Sequence, residues 1–328
     1  MITSKRPAAQ CPGLYCISFL LNQIYFYRFI KTKEYLCVDC CTVFVDGILN
    51  LNDFPIFDRM REEKTAVLLA EDLAISSIIL DRTVTISCFL PKNIVVAEPL
   101  DLLLINDGQN MEELGLTAIL DDLISRGQIE PLVCVAIHTG KERKIEYGTA
   151  KCADYLGRGA KAGLYTRFIF EELLPFIHST YNIPSFKEKS FAGFSLGGLS
   201  ALDIVWNYPD EFSKAGVFSG SLWWRTRGLD DGYNEATDRI MHSQVREGEF
   251  HSRLRFFFET GTLDETMDRN NNGIIDSIDD TLGLIDELAA KGYDRQKDIY
   301  YLELQDGRHD IATWARAMPV FLKWGWGQ

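Results

Sequence analysis

Three absences narrow what this 328-residue chain can be. It has no clean run of about 20 apolar residues, the length a membrane-spanning helix requires. Its most apolar stretch, 14–30, is interrupted by Asn22, Gln23 and Arg28. It has no excess of positive charge: 34 Lys and Arg face 47 Asp and Glu, a net charge of −13. Such a surface repels nucleic acid and anionic membranes, and neither is expected as a partner. It has no internal repeat and no low-complexity tract. What remains, 46% hydrophobic and 25% charged residues, is the composition of a globular protein with a sizeable core.

Cysteine is unevenly placed. Cys11, Cys16, Cys37, Cys40 and Cys41 fall early, and Cys88, Cys134 and Cys152 are scattered through the rest. The scattered three read as small apolar residues in a reducing, cytoplasmic compartment. Cys37-x-x-Cys40-Cys41 has no second ligand pair beside it, which argues against zinc. Residues 1–59 differ in pattern from the remainder. Lys5 and Arg6 precede the apolar stretch as in a signal peptide, but no small-residue cleavage site follows. The preferred reading starts the natural chain at Met60 and treats 1–59 as extraneous or poorly ordered.

From residue 65 the pattern becomes legible. Segments 65–70, 76–80 and 83–90 read as strands, and the short Asp81-Arg82 connection predicts antiparallel pairing. Six short apolar runs follow at 102–105, 132–137, 189–193, 215–219, 254–259 and 299–304. Between or after them lie helical patterns at 111–126, 165–181, 282–291 and 311–324. Continuous apolar strands alternating with helices predict an α/β fold: a mostly parallel central sheet with helices on both faces and antiparallel strands at the amino-terminal edge. One domain is expected over 60–328, with a small cap-like excursion at about 225–252.

The chemistry centres on Gly193-Phe194-Ser195-Leu196-Gly197-Gly198, between an apolar run and a helix-forming segment. That is the pattern of a nucleophile elbow, in which a serine on a strained strand-to-helix turn is lifted clear of the sheet. The N–H of Leu196, opening the helix, is placed to stabilise an oxyanion. A second donor is expected after the first parallel strand, in Asn106-Asp107-Gly108-Gln109-Asn110, with the N–H of Gln109 as candidate. Partners belong at the carboxyl ends of the strands. His309, just past the last run, is the candidate general base; His178, His242 and His251 lie on helical or polar segments. Asp264, after 254–259 and freed by Gly261, is the candidate acid, with Glu265 its rival and Asp310 third.

His138 ends the second run, where substrate contact and a structural hydrogen bond are equally open readings. Trp223 and Trp224 follow the fourth run and either stack on a substrate or pack beneath the excursion. The loop 138–163, holding Tyr147, is expected to form the opposite wall.

Segment 268–279 places Asp268, Asn270, Asn272, the Ile274 carbonyl, Asp276 and Asp279 at the positions of a calcium loop, with Gly273 at the turn. The plainer reading is an Asn-rich turn capping the next helix. Bound there, Ca2+ would be structural; no cofactor is required for the chemistry.

The Asp107-Gly108-Gln109-Asn110 turn, Glu146-Tyr147-Gly148, Gly193-Phe194-Ser195-Leu196-Gly197-Gly198, Gly261-Thr262-Leu263-Asp264 and His309-Asp310 with Trp314 together resemble a family of α/β-hydrolase esterases. That family includes enterochelin-type esterases, S-formylglutathione hydrolases, feruloyl and acetyl-xylan esterases and mycolyltransferases. The resemblance covers 65–328 and implies an α/β-hydrolase fold, with Ser195, Asp264 and His309 as triad and Gln109 and Leu196 as oxyanion donors. Arg308, where relatives commonly carry glycine, departs from the pattern and is expected to narrow the site or lower the pKa of His309. The expected activity is hydrolysis of a small-molecule or carbohydrate-linked carboxylic ester through an acyl-enzyme. Acyl transfer and a non-catalytic, calcium-stabilised binding module are the alternatives.

Overall fold

The computed structural model describes residues 72–92 and 99–327, together with the backbone of short strands at 35–38, 41–44 and 67–69. The chain divides into two compact units, 1–58 and 59–328. In the first, β1 (Tyr35–Val38) pairs antiparallel with β2 (Cys41–Phe44). The expectations placed on the apolar stretch 14–30, the side chains of Cys37, Cys40 and Cys41, and Met60 as the natural start lie outside the described residues.

In the second unit each of the six apolar runs becomes a parallel strand. They are β6 (Asp101–Asn106), β7 (Leu132–Ile137), β8 (Lys189–Phe194), β9 (Lys214–Phe218), β10 (Arg255–Leu263) and β11 (Ile299–Arg308). With β3 (Val67–Leu69), β4 (Leu73–Ser77) and β5 (Arg82–Pro91) they form a nine-stranded sheet. Its order is β11-β10-β9-β8-β6-β7-β5-β3, with β4 also paired to β5. Strands β3 and β4 pair antiparallel with β5, and β5 with β7. The strand expected at 76–80 is displaced: residues 78–81 turn instead. The Glu172 carboxylate accepts the N–H groups of Ile78 and Ile79 and the Ser77 hydroxyl, which stops the strand.

Alternation along β6 shows why both faces are covered. Leu102 and Leu104 join one buried cluster with Phe168, Ile177, Phe191 and Leu202, while Leu103 and Ile105 join the other with Leu120, Met318 and Phe321. The expected helix at 111–126 is broken into α1 (Met111–Leu114) and α2 (Leu116–Ser125), because Gly115 adopts a left-handed φ of 74°. After α3 (Arg143–Glu146), the helix expected at 165–181 runs as α4 (Ala162–Phe168) and α5 (Leu174–Tyr181) through one π turn at Ile169–Leu173. Helix α6 (Leu196–Asn207) follows β8; α7 (Glu235–Asp238) and α8 (Ile240–Glu247) form the excursion. Helices α9 (Asp276–Lys291) and α10 (Ile311–Trp326) complete the covering layers. Among the described residues no helix is long and apolar enough to cross a membrane.

Parallel strands bring their carboxyl ends to one edge. The Asp107 turn, Ser195, the Ser219-Gly220-Ser221 turn, Asp264 and His309 therefore gather there.

Candidate active site

Ser195 carries φ 54° and ψ −121°, a strained conformation for a residue with a side chain. Its N–H donates to Phe218 O at 2.8 Å, and its carbonyl accepts Ser221 N at 3.1 Å, so the turn is pinned against β9. The flanking glycines are sterically required. A Cβ on Gly193 would lie 2.4 Å from the Gly197 carbonyl carbon, and one on Gly197 would lie 2.7 Å from Asp107 Oδ2. From Ser190 to Ser200 every residue is buried except Ser195. The N–H groups of Leu196 and Gly197, in the first turn of α6, have no acceptor within their own helix.

The turn after β6 is braced from below. Asp107 is left-handed, φ 63°, and 1% exposed. Arg143 grips it with two bonds of 2.7 Å and also reaches Phe194 O at 3.4 Å. The Asp107 N–H donates to Tyr147 OH at 3.3 Å. Asn106 donates to Gly197 O at 2.8 Å and accepts from Tyr165 OH at 2.6 Å, joining this turn to α6. Gln109 is exposed above; its side chain accepts from Thr139 N at 3.1 Å and donates to Asp107 Oδ1 at 3.3 Å.

On the other side Asp264 closes a turn by donating its N–H to Gly261 O at 3.1 Å. Neither carboxyl oxygen of Asp264 has a hydrogen-bond partner of good geometry, although both are buried. Burial pushes its pKa up; the Gly261 backbone, the Ser219 hydroxyl and His309 pull it down, and Asp310 adds to the rise. His309 is shifted below the ordinary histidine range by desolvation first, then raised by Asp264 and lowered by Arg143. His309 as a whole residue is exposed, so partial rather than complete burial is the cause. The ring meets Trp314 edge-on at 5.4 Å.

The structure thus sets Asp264 and His309 within each other's electrostatic reach. Among the described residues no hydrogen bond links either of them to Ser195, whose hydroxyl instead meets Ser221 Oγ at 3.3 Å. Asp310 caps α10, accepting Thr313 N at 2.9 Å. The cation that lowers His309 is Arg143. The Arg308 backbone N–H donates to Thr313 Oγ1.

The residues expected to touch substrate divide. Trp224 is fully buried, its ring against Gly148 and Gly159, which is the packing alternative. Trp223 is partly exposed, with the Arg158 guanidinium 4.8 Å from its ring, and lines a cavity of about 160 Å³ with Arg225, Leu229, Glu265, Met267 and Asp276. Tyr147 is 1% exposed and corrects the expectation of substrate contact: its hydroxyl serves the Asp107 turn from beneath. His138 Nε2 bonds Ser87 Oγ at 2.8 Å, the structural alternative.

In the loop 268–279, Asp268 accepts Asn272 N and Gly273 N, Asn272 Oδ1 accepts Ile274 N, and the amides of Asn270 and Asn272 donate to Asp279. Asp276 accepts Arg269 N. Among the described residues no group of three or more His, Cys, Asp or Glu side chains is placed to hold a metal ion, so the calcium expectation gains no support. The excursion is fastened to this region through Asp280, 0% exposed, which pairs with Arg239 at 3.0 Å and Arg269 at 2.5 Å. His242, pushed down to about 3 by burial and therefore neutral, bonds Asp280 O at 2.8 Å.

Sequence reasoning gave no role to Arg143, Ser219, Ser221 or Glu259, nor to the Asp107 side chain. Arg143 sits in the polar run Lys141-Glu142-Arg143-Lys144, which reads as a solvated loop. Nothing local marks it.

The described chain matches the family named Putative esterase over residues 77–324. It is 23% identical to the uncharacterized protein YjcH of Bacillus subtilis (strain 168), covering 74% of this chain and 92% of that protein. It is 27% identical to the iron(III) enterobactin esterase of Escherichia coli (strain K12), over 66% of this chain and 48% of that one. The enterobactin esterase of Shigella flexneri, solved in the presence of enterobactin, superposes with a TM-score of 0.60 at 21% identity, over 78% of this chain and 58% of that chain. The chain thus spans about half the length of the enterobactin esterases it matches, and nearly all of YjcH. With the family match covering most of the sheet and both sides of the cleft, the chain belongs to the Putative esterase family, carboxylic ester hydrolases of the α/β-hydrolase type.

Proposed function

We propose that the chain hydrolyses a small-molecule or carbohydrate-linked carboxylic ester through an acyl-enzyme, with Ser195 as nucleophile, His309 as general base and Asp264 as the acid that orients it. The observation carrying this reading is Ser195 itself: strained, alone in its segment in reaching solvent, and set at the strand ends that also carry the Asp264 and His309 pair. His309, kept neutral by its lowered pKa, accepts the Ser195 proton as Oγ attacks the ester carbonyl. The N–H groups of Leu196 and Gln109 receive the oxyanion, and Asp264 stabilises the imidazolium that forms. The leaving alcohol takes the proton from His309, and water, activated by the same histidine, releases the acid. Ser195 and His309 are not hydrogen-bonded in the resting site, so the Ser195 hydroxyl must turn from Ser221 toward His309 when substrate arrives.

Intact mass after treatment with a fluorophosphonate probe tests the proposal. One adduct on the wild type and none on Ser195→Ala is the expected result. An unlabelled, folded wild type would return the chain to the binding-module reading. Adding a competing alcohol separates hydrolysis from acyl transfer: a new ester would show transfer.

A further inference from the structure

Beneath the acid lies a second carboxyl that the reaction above does not use. Glu259, on β10, is 0% exposed. Its Oε2 accepts from Ser219 Oγ at 3.5 Å, and its carbonyl accepts Ser219 N at 2.8 Å. Ser219 is held left-handed, φ 44°, and its Oγ accepts from Trp314 Nε1 at 3.0 Å. The same hydroxyl pulls on the Asp264 carboxyl. Among the described residues three buried oxygens, Glu259 Oε1 and both of Asp264, have no hydrogen bond of good geometry.

A serine hydroxyl has one proton and two lone pairs. It cannot donate to two carboxylates at once, and two neighbouring buried carboxylates resist ionising together. Asp264 is partly exposed and its carboxylate is favoured by the Gly261 backbone; Glu259 is 0% exposed and, among the described residues, has no cation in contact. The proton therefore belongs on Glu259.

We propose that Glu259 is a positioning residue for Asp264, acting through Ser219 as a neutral carboxylic acid. This rests on the reading of Ser195, Asp264 and His309 as the reacting set. With Glu259 protonated, Ser219 Oγ accepts from both Trp314 and Glu259 and turns its own O–H onto Asp264. When Glu259 ionises, the Ser219 proton swings back to it, and Asp264 loses a donor while gaining a neighbouring charge.

The groups around Glu259 set where this happens. Burial and Asp264 raise its pKa from 4.5 to about 8, against the pull of Ser219 and of Arg316 on α10. Arg316 is itself paired with Asp306 at 2.8 Å. Tyr301 on β11, held protonated by burial, bonds Thr260 Oγ1 at 2.8 Å and Glu303 at 2.9 Å. His309 and Asp310 act on Asp264.

The test is the rate of Ser195 labelling by the fluorophosphonate between about pH 6 and about pH 10. The wild-type rate is expected to break downward above about pH 8, as Glu259 ionises. Glu259→Ala slows labelling about tenfold at pH 7, the loss of one buried hydrogen bond. Glu259→Gln, whose amide always donates to Ser219, restores most of that rate and removes the alkaline break. Ser219→Ala, which leaves Glu259 in place, slows labelling at every pH and shrinks the break to what the neighbouring charge alone produces.

Thermal midpoints provide a second readout. The folded state binds the Glu259 proton more tightly than the unfolded state. Wild-type stability therefore declines as pH rises from 4.5 toward 8, and the Glu259→Gln midpoint declines less across that window. Superimposable wild-type and Glu259→Gln labelling profiles, or an undiminished break in Ser219→Ala, would overturn the role of Glu259 while leaving the hydrolase intact. A wild type that does not label at any pH would overturn both.

Discussion

The two sides of the cleft follow opposite electrostatic plans. On the β6 side, the Asp107 carboxylate is fully engaged: Arg143 binds it at 2.7 Å through both oxygens, and Tyr147 and Asn106 complete the network. On the β10 side, the Asp264 oxygens and Glu259 Oε1 are buried and, among the described residues, have no hydrogen bond of good geometry. A satisfied network is rigid and, in the proposed mechanism, holds its backbone where an oxyanion would form. An unsatisfied carboxyl is costly at rest and recovers that cost when a positive charge arrives, which in the same proposal the imidazolium of His309 supplies. On that reading one side is finished before substrate binds and the other is completed by the reaction.

The contrast is broken most completely by removing what both sides serve. Ser195→Ala is expected to lower kcat by about 10⁶, measured with an activated ester, and to abolish labelling. Asp264→Asn leaves the shape of the unfinished side but removes its charge, and kcat should fall by about 10⁴ with little loss of thermal stability.

Arg143→Ala attacks the finished side. It strands a buried carboxylate, so unfolding in urea should reveal a loss of about 3–5 kcal/mol. Activity should fall about 10²–10³-fold as the oxyanion turn loosens. The same change has a signature no purely structural defect produces. Arg143 lowers the pKa of His309, so its removal moves the acid limb of kcat/KM to higher pH. In the wild type that limb should lie below about pH 6.5, because activity needs neutral His309 and its pKa is depressed. A limb at or above that pH would contradict the electrostatic picture. The smallest effect is expected from Ser221→Ala, which frees the Ser195 hydroxyl from its 3.3 Å contact and should change kcat less than about threefold.

The finished and unfinished sides were not equally legible in the sequence. The six parallel strands were readable because burial on both faces leaves continuous apolar runs such as Leu132–Ile137. Ser195, Asp264 and His309, on which the proposal rests, could be nominated because strand-end position and flanking glycines constrain them locally. Arg143 and Glu259 could not be. Arg143 meets Asp107 across 36 residues, and Glu259 meets Ser219 across 40. Pairings at that separation leave no periodic trace, and a Glu within Phe256-Phe257-Phe258-Glu259 reads as the end of a strand. Tyr147 illustrates the converse failure. Its place in a loop near the site suggested substrate contact, but loop position says nothing of side-chain direction, and the ring points inward to the Asp107 turn.

The anchoring of the excursion through Asp280 bears on the cavity beside Trp223. Arg239 and His242 of the excursion, and Arg269 of the loop before α9, converge on that one buried residue, so the excursion is riveted to α9. The cavity draws its lining from both parts, Trp223, Arg225 and Leu229 on one side and Glu265, Met267 and Asp276 on the other, so its gauge is set by fixed ion pairs rather than by a swinging wall.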